Sequence, residues 1–184
     1  QGIIAVVHRP RLTLADLAPE SAPWVVALVA PQDPGNIGAI LRTMDAVGAD
    51  ALLLLDSSAD PYHPRAVRAS MGTLFWHPVV MATFDQFAAW AKAQGYHVYG
   101  TSAHASISYR EVARYERPAV LLLGSEREGL SATQAACCQQ LIRLPMRGRA
   151  TSLNLAVAAG VMLYVMWERF ENLLSQKPCH RNRS

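Results

Sequence analysis

The chain has 184 residues, 51% of them apolar and 17% charged, with a formal net charge of +3. That length suits one domain with a short appendage, and so apolar a composition excludes a disordered chain. The mild positive charge fits a polyanionic partner without demanding one. Three cysteines (Cys137, Cys138 and Cys179) point to neither a disulfide framework nor a zinc site.

Residues 1–7, QGIIAVV, start inside an apolar run with no initiator Met, and residues 1–20 read as a linker or N-terminal extension. VVALVA (25–30) reads as a buried strand. NIGAILRTMDAVG (36–48) follows with helical spacing: Ile37, Ile40, Leu41, Met44 and Val47 share one face, and Gly48 closes it. ALLLLD (51–56) is a second strand, and PRAVRASMG (64–72) a short helix with Pro64 in its first turn. LFWHPVVM (74–81) is strand-like, with Pro78 marking an edge or a break. An amphipathic helix (84–95) leads to a strand, YHVYGTS (96–102).

AVLLLGSE (119–126) has the continuous apolar character of a central strand buried on both faces. SATQAACCQQ (131–140) reads as a helix with a Ser131/Gln134 capping box, and LIRLP (141–145) as the last strand. A closing helix spans 151–174, and the basic tail 175–184 reads as frayed. The longest apolar run, 153–167, is short of the roughly 20 residues a membrane span needs. No signal-peptide pattern opens the sequence, so the cysteines read as cytosolic thiols and the protein as cytoplasmic. The remaining histidines (His8, His77, His97, His104 and His180) show no metal-ligand spacing.

Alternating strands and helices predict a parallel α/β sheet covered on both faces. In such sheets ligands sit beyond the carboxyl ends of the strands. The loops after residues 30, 101, 123 and 144 are therefore the places to look. The first contains Asn36 at the mouth of its helix, read as an N-cap. Gly35 and Gly38 do not complete a dinucleotide fingerprint, and no phosphate-binding GxxxxGK[ST] loop occurs. Arg42 lies six residues after Asn36, about 600° of helical rotation, so the two need not share a face. In the third loop Gly124 permits close approach to the backbone, and Glu126 sits at the edge of a central strand. In the fourth, Ser152 reads as an N-cap and Asn154 as a helix-interior residue whose amide needs a partner. Ala156, Ala158, Ala159 and Gly160 permit close helix packing. Arg42, Arg65, Arg68, Arg147 and Arg149 suit a phosphate-bearing partner.

NIGAILRTMDAVGAD, LLLGSEREGLS and LPMRGRATSLNLAVAAGVMLY, in that order, resemble the three motifs of the SpoU/TrmH-type RNA ribose methyltransferases of the SPOUT class, and DPYHPRAVRASMGTLFWHPV resembles that family's intermediate segment. The likeness covers about residues 21–174, which would be the catalytic domain. It implies a parallel α/β sheet whose C-terminal part forms a deep trefoil knot. It also implies a homodimer and transfer of a methyl group from S-adenosylmethionine to a ribose 2′-hydroxyl of tRNA or rRNA. Residue by residue, Arg42, Asn36, Glu126, Ser152 and Asn154 match the motif's reaction-centre positions. Thr101, Ser102, Ala103, Leu123, Gly124, Ser125, Glu126, Gly129, Ile142, Leu144, Met146, Ser152 and Leu153 match its cofactor-contacting loops. His63 stands where the pattern expects Asn. Many relatives carry an RNA-binding domain upstream, and QGIIAVVHRPRL looks like the linker that follows one. A non-catalytic RNA-binding module on the same fold is the alternative, although an intact set of five reaction-centre residues argues against it. A nucleotide-binding oxidoreductase would lack its glycine fingerprint.

Overall fold

The computed structural model describes residues 2, 6, 8, 9 and 11–170. The expected end of the last helix (171–174) and the tail with Cys179 and His180 lie outside these. Seven strands form one sheet: β1 (Trp24–Val29), β2 (Ala51–Leu55), β3 (Val79–Ala82), β4 (His97–Thr101), β5 (Ile107–Ser108), β6 (Ala119–Leu123) and β7 (Gln140–Arg143). Every pairing is parallel, and the spatial order is β3-β2-β1-β6-β4-β7-β5.

The unbroken apolar runs occupy the middle. β1, β2 and β6 are buried at every position, as strands covered on both faces must be. Their side chains alternate between two cores. Trp24, Val26, Leu28 and Leu121 point to a layer containing α1 (Pro34–Val47), α2 (Pro64–Ala69) and α5 (Leu155–Phe170). Val25, Ala27 and Leu122 point to the other face, where α3 (Phe84–Ala93) presents Phe84, Phe87 and Trp90. Leu17 and Ala22, ahead of β1, are buried in this second core.

Gly38 fixes the contact between α1 and α2. A methyl group there would lie 2.3 Å from the Ala66 carbonyl oxygen and 2.8 Å from the Ser70 nitrogen, so only glycine lets the two backbones approach this closely. Gly160 on α5 is different: among the described residues outside its own helix, a methyl group there would meet only Thr43 Cγ2, at 4.0 Å. The small residues of α5 therefore do not all mark tight packing within the chain.

Several boundaries differ from expectation for local reasons. The strand expected over 74–81 divides into a 3-10 turn (Thr73–Phe75) and β3, because Pro78 has no N–H to give a ladder. β3 is the sheet edge, as Pro78 suggested. The helix expected over 131–140 keeps its capping box, with Gln134 N–H on Ser131 Oγ and Ser131 N–H on Gln134 Oε1, but α4 covers only Ala132–Ala136. Gln139 instead accepts from Val98 N–H and donates to the Tyr96 carbonyl, joining the chain to β4 before β7 begins. β5, two residues long, had no signal in the sequence.

Candidate functional site

The loops after β1, β4, β6 and β7 come together at the carboxyl end of the sheet. Those after β4, β6 and β7 surround a cavity of about 340 Å³. Its lining includes Thr101, Ser102 and Ala103 from the first, Leu123, Gly124, Ser125, Glu126 and Gly129 from the second, and Ile142, Leu144, Met146, Ser152 and Leu153 from the third. All thirteen positions matched to cofactor-contacting loops thus face one space. His104, Thr151, Leu155 and Ala158 line it as well. Their neighbourhood to the four loops was the only clue in the sequence.

Close backbone approach shapes this cavity. Ser125 and Gly129 exchange both N–H···O bonds at 3.0 Å, closing the 125–129 turn. A methyl group on Gly124 would lie 2.1 Å from the Gly129 carbonyl carbon, so the turn can fold back onto residue 124 only because no side chain is there. Leu123 and Ile142 supply a buried aliphatic floor.

Beside it opens a second cavity of about 820 Å³, lined by Gln32, Asp33, Asn36, Arg65, Arg127 and Asn154 among others. Ser125, Glu126, Arg127, Glu128, Ser152, Leu153 and Leu155 border both spaces. At their junction lies a directional chain of hydrogen bonds. Gln32 N–H donates to Glu126 Oε2 (3.1 Å), and Asn36 Nδ2 donates to Glu126 Oε1 (2.6 Å). Asn154 Nδ2 donates to Asn36 Oδ1 (3.0 Å), while its own Oδ1 accepts from Ala156 N–H (2.9 Å) and Val157 N–H (3.3 Å).

The polarity of this chain is set from both ends. A carboxylate only accepts, so Asn36 must turn its NH₂ toward Glu126 and its oxygen away. The first N–H groups of α5 only donate, so Asn154 must turn its oxygen to them and its NH₂ to Asn36. The two requirements agree, leaving each amide one orientation.

Two expectations about caps are corrected here. Asn36 does not cap α1: Asp33 does, accepting from Gly35 N–H at 2.8 Å with Pro34 at the first helical position, and Asn36 sits in the first turn as a buried residue. Nor does Ser152 cap the last helix. α5 starts at Leu155, Asn154 caps it, and Ser152 stays in the loop bordering the two cavities. Thr151, Ser152 and Asn154 are all good capping residues, and sequence alone does not choose among them. At the start of α2, His63 occupies the expected Asn position as an N-cap, its Nδ1 accepting from Arg65 N–H.

The arginines are distributed unevenly. Arg65 lines the larger cavity and pairs with Asp33 at 3.2 Å. Arg68, Arg147 and Arg149 are exposed and border neither space. Arg42 is exposed on the outer side of α1, has no hydrogen-bonding or ionic partner among the described residues, and lines neither cavity. Gln32, Asp33 and Arg127 at the larger cavity were not singled out in the sequence, although Gln32 and Asp33 fall in the loop flagged after residue 30. On the far side of the sheet, burial raises Cys137 and pushes the Cys138 thiol to about 12, so neither offers a thiolate at neutral pH. No group of three or more His, Cys, Asp or Glu suited to a metal ion occurs among the described residues.

A sequence profile of the SpoU rRNA methylase family matches residues 23–164. The 23S rRNA (guanosine(2553)-2′-O)-methyltransferase RlmP of Bacillus subtilis is 37% identical over 164 residues, which are 89% of this chain and 64% of that protein. A 23S rRNA (uridine(2479)-2′-O)-methyltransferase of Streptomyces viridochromogenes is 34% identical over 168 residues, 88% of this chain and 58% of that one. This chain thus spans about three fifths of the length of those relatives. Among solved structures, an AdoMet-bound rRNA methyltransferase from Sinorhizobium meliloti aligns with a TM-score of 0.83 at 40% identity, covering 91% of this chain and 63% of that one. With the matched profile, these relatives and the shared fold in agreement, the chain belongs to the SpoU rRNA methylase family.

Proposed function

We propose that the protein methylates a ribose 2′-hydroxyl of ribosomal or transfer RNA, with S-adenosylmethionine as methyl donor held in the 340 Å³ cavity. The observation that carries this reading is the convergence of that cavity with the Asn154–Asn36–Glu126 chain at its border. The cavity fits such a donor on three counts. Its volume falls in the range of small-molecule sites, about 300–1,000 Å³. Leu123 and Ile142 offer apolar surface for a purine. The glycine-enabled turn at 124–129 brings backbone groups within reach of the purine edge.

Bound there, the sulfonium supplies a methyl group already activated for displacement. The chain's own contribution is placement and charge. Asn36 and Asn154, locked in orientation, present fixed dipoles to a ribose entering from the larger cavity, and Arg65 and Arg127 offer positive charge to the flanking phosphates. In the reaction the ribose oxygen forms a bond to the methyl carbon as the sulfur–carbon bond breaks. The hydroxyl proton passes to a phosphate oxygen or to water. Arg42 does not accept it, because a guanidinium is not deprotonated in proteins. Its role is to stabilise the developing alkoxide or grip the adjacent phosphate.

Arg42 reaches that place through a homodimer. Val157, Val161, Tyr164 and Trp167 are 51, 37, 47 and 37% exposed and form a stripe along α5, an apolar surface suited to a second copy, and α5 packs on α1, which carries Arg42. A C-terminal trefoil knot belongs to the same reading. In its support, the segment between β4 and β6 wraps the end of α5: Arg169 donates to the carbonyls of Tyr109, Arg110 and Val112, and Phe170 stacks edge-on with Trp24 and Tyr115. No helix among the described residues is long and apolar enough to cross a membrane, and the free thiols of Cys137 and Cys138 fit a cytoplasmic enzyme. We read residues 1–20 as an extension, 21–174 as the catalytic unit and 175–184 as a basic tail.

The test is methyl transfer from labelled S-adenosylmethionine to purified rRNA and tRNA, with mapping of the modified nucleotide. Label on a ribose 2′-oxygen supports the proposal. Cofactor binding with no transfer to any RNA would favour the non-catalytic alternative.

A further inference from the structure

Gln32 is exposed, yet its side-chain amide nitrogen is engaged. Its Nε2 donates to the Ala30 carbonyl and to the Ser57 carbonyl, both at 2.9 Å, while its backbone N–H holds Glu126 Oε2. A surface glutamine normally remains solvated, because fixing it costs side-chain entropy. Here both amide hydrogens are directed to main-chain oxygens of two different loops. Ala30 is also one of three non-glycine residues with positive φ among the described residues, at 44°. Such a conformation persists when its surroundings hold it. Ala59 N–H on the Pro31 carbonyl (2.8 Å) ties the same two loops together at the backbone.

Three strand-end loops therefore meet at one residue: that after β1 by covalent connection, that after β2 through Ser57, and that after β6 through Glu126. We infer that Gln32 is a positioning residue for the reaction centre: its side-chain amide fixes the strained turn at 30–32, so that its own N–H holds Glu126 in place as the acceptor for the Asn36 amide. This rests on the methyltransferase reading above. With the clamp lost, residue 32 turns and Glu126 loses one of its two donors. Asn36 then loses the fixed acceptor on its amide nitrogen, one of the two constraints that hold it in place, while α5 still orients Asn154.

Three variants separate this role from mere packing. Gln32→Ala removes the clamp. Gln32→Glu keeps the shape but puts an acceptor oxygen in place of Nε2, against both carbonyls. Gln32→Lys restores a donor within reach of both. With the whole chain and purified rRNA or tRNA as methyl acceptor, the first two lower kcat between about ten- and a hundred-fold, as expected for a misplaced reaction centre. The dissociation constant for S-adenosylmethionine rises by a smaller factor than kcat falls, since Gln32 does not line that cavity and Glu126, which does, keeps its bond to Asn36. Gln32→Lys recovers most of kcat. A second readout needs no turnover: the Asn36 side-chain amide resonances, shifted in the wild type by the charged acceptor, move toward free-amide values in Gln32→Ala and return in Gln32→Lys.

Unchanged kcat in Gln32→Ala or Gln32→Glu, a Gln32→Lys as impaired as Gln32→Ala, or Asn36 resonances indifferent to all three would overturn the inference. A wild-type chain that moves no methyl group would instead sink the function, and the resonance measurement would still decide the role of Gln32.

Discussion

Asn154 links helix stability to the reaction centre, and two substitutions pull the links apart. Asn154→Ala removes the oxygen that accepts from Ala156 and Val157 N–H and the amide that donates to Asn36. Loss of an N-cap costs about 1 kcal/mol. Loss of the hydrogen bond to Asn36 adds about 0.5–1.5 kcal/mol, toward the low end because Asn154 borders an open cavity where water can replace it. The sum is about 2 kcal/mol, and at about 2–4 °C per kcal/mol for a chain of this size the melting temperature falls by about 4–8 °C. Asn154→Asp keeps a capping oxygen, and a negative charge at a helix N-terminus is favourable. It has no hydrogen to give Asn36, however, and sets a carboxylate against an amide oxygen. Its melting temperature therefore stays within about 2–3 °C of wild type, the loss of a single hydrogen bond, while kcat falls at least as far as in Asn154→Ala. Thermal unfolding by circular dichroism, with methyl transfer measured on the same samples, reads both quantities. An Asn154→Asp variant with wild-type kcat, or an Asn154→Ala variant that melts like wild type, would refute the linked roles.

Arg42→Ala should lose about 10²–10³-fold in kcat, the scale of removing one charge-stabilising donor, with S-adenosylmethionine affinity unchanged because Arg42 does not line that cavity. Calorimetry and single-turnover kinetics measure the two. Gly38→Ala should destabilise by about 1–3 kcal/mol through the clash with the Ala66 carbonyl, seen as a lower denaturant midpoint, and an unchanged midpoint would rule out the close approach of α1 and α2. Asp50, which accepts from Trp24 N–H, has its carboxyl raised above the ordinary 3.8, with burial as the leading cause. The folded chain holds that proton more tightly than the unfolded one, so the group's contribution to stability is full below the ordinary value and fades as pH rises through the raised one. The melting temperature of wild type relative to Asp50→Asn should therefore be higher at pH 3.5 than at pH 7, and the opposite order would contradict the burial.

The elements most legible in the sequence are those whose fate is decided locally. VVALVA, ALLLL and AVLLL cannot be exposed on either face, and they form the centre of the sheet as β1, β2 and β6. Their order is another matter. β6 enters between β1 and β4 because later crossovers return the chain to the middle, and no residue pattern within β6 encodes that. The site divides in the same way. Motif order brought out Asn36, Glu126 and Asn154, but their mutual contacts span 90 and 118 residues of sequence, beyond the reach of any periodicity. Caps are ambiguous in sequence where several good capping residues stand together, as at Asp33 and Asn36 and again at Thr151, Ser152 and Asn154. Gln32 stayed hidden because its importance lies in two carbonyls supplied by other parts of the backbone, whose positions only the folded chain fixes.

The most direct test of the central claim, that the loops after β4, β6 and β7 make one backbone-lined cavity for the methyl donor, is calorimetric titration of S-adenosylmethionine into the wild-type chain and into Gly124→Ala. The cavity described here predicts saturable binding of one molecule per chain in the wild type. In the variant, whose new methyl group would meet the Gly129 carbonyl carbon at 2.1 Å, binding should be lost or weakened at least about a hundred-fold while the protein remains folded. No binding to the wild type, or equal affinity in the variant, would contradict it.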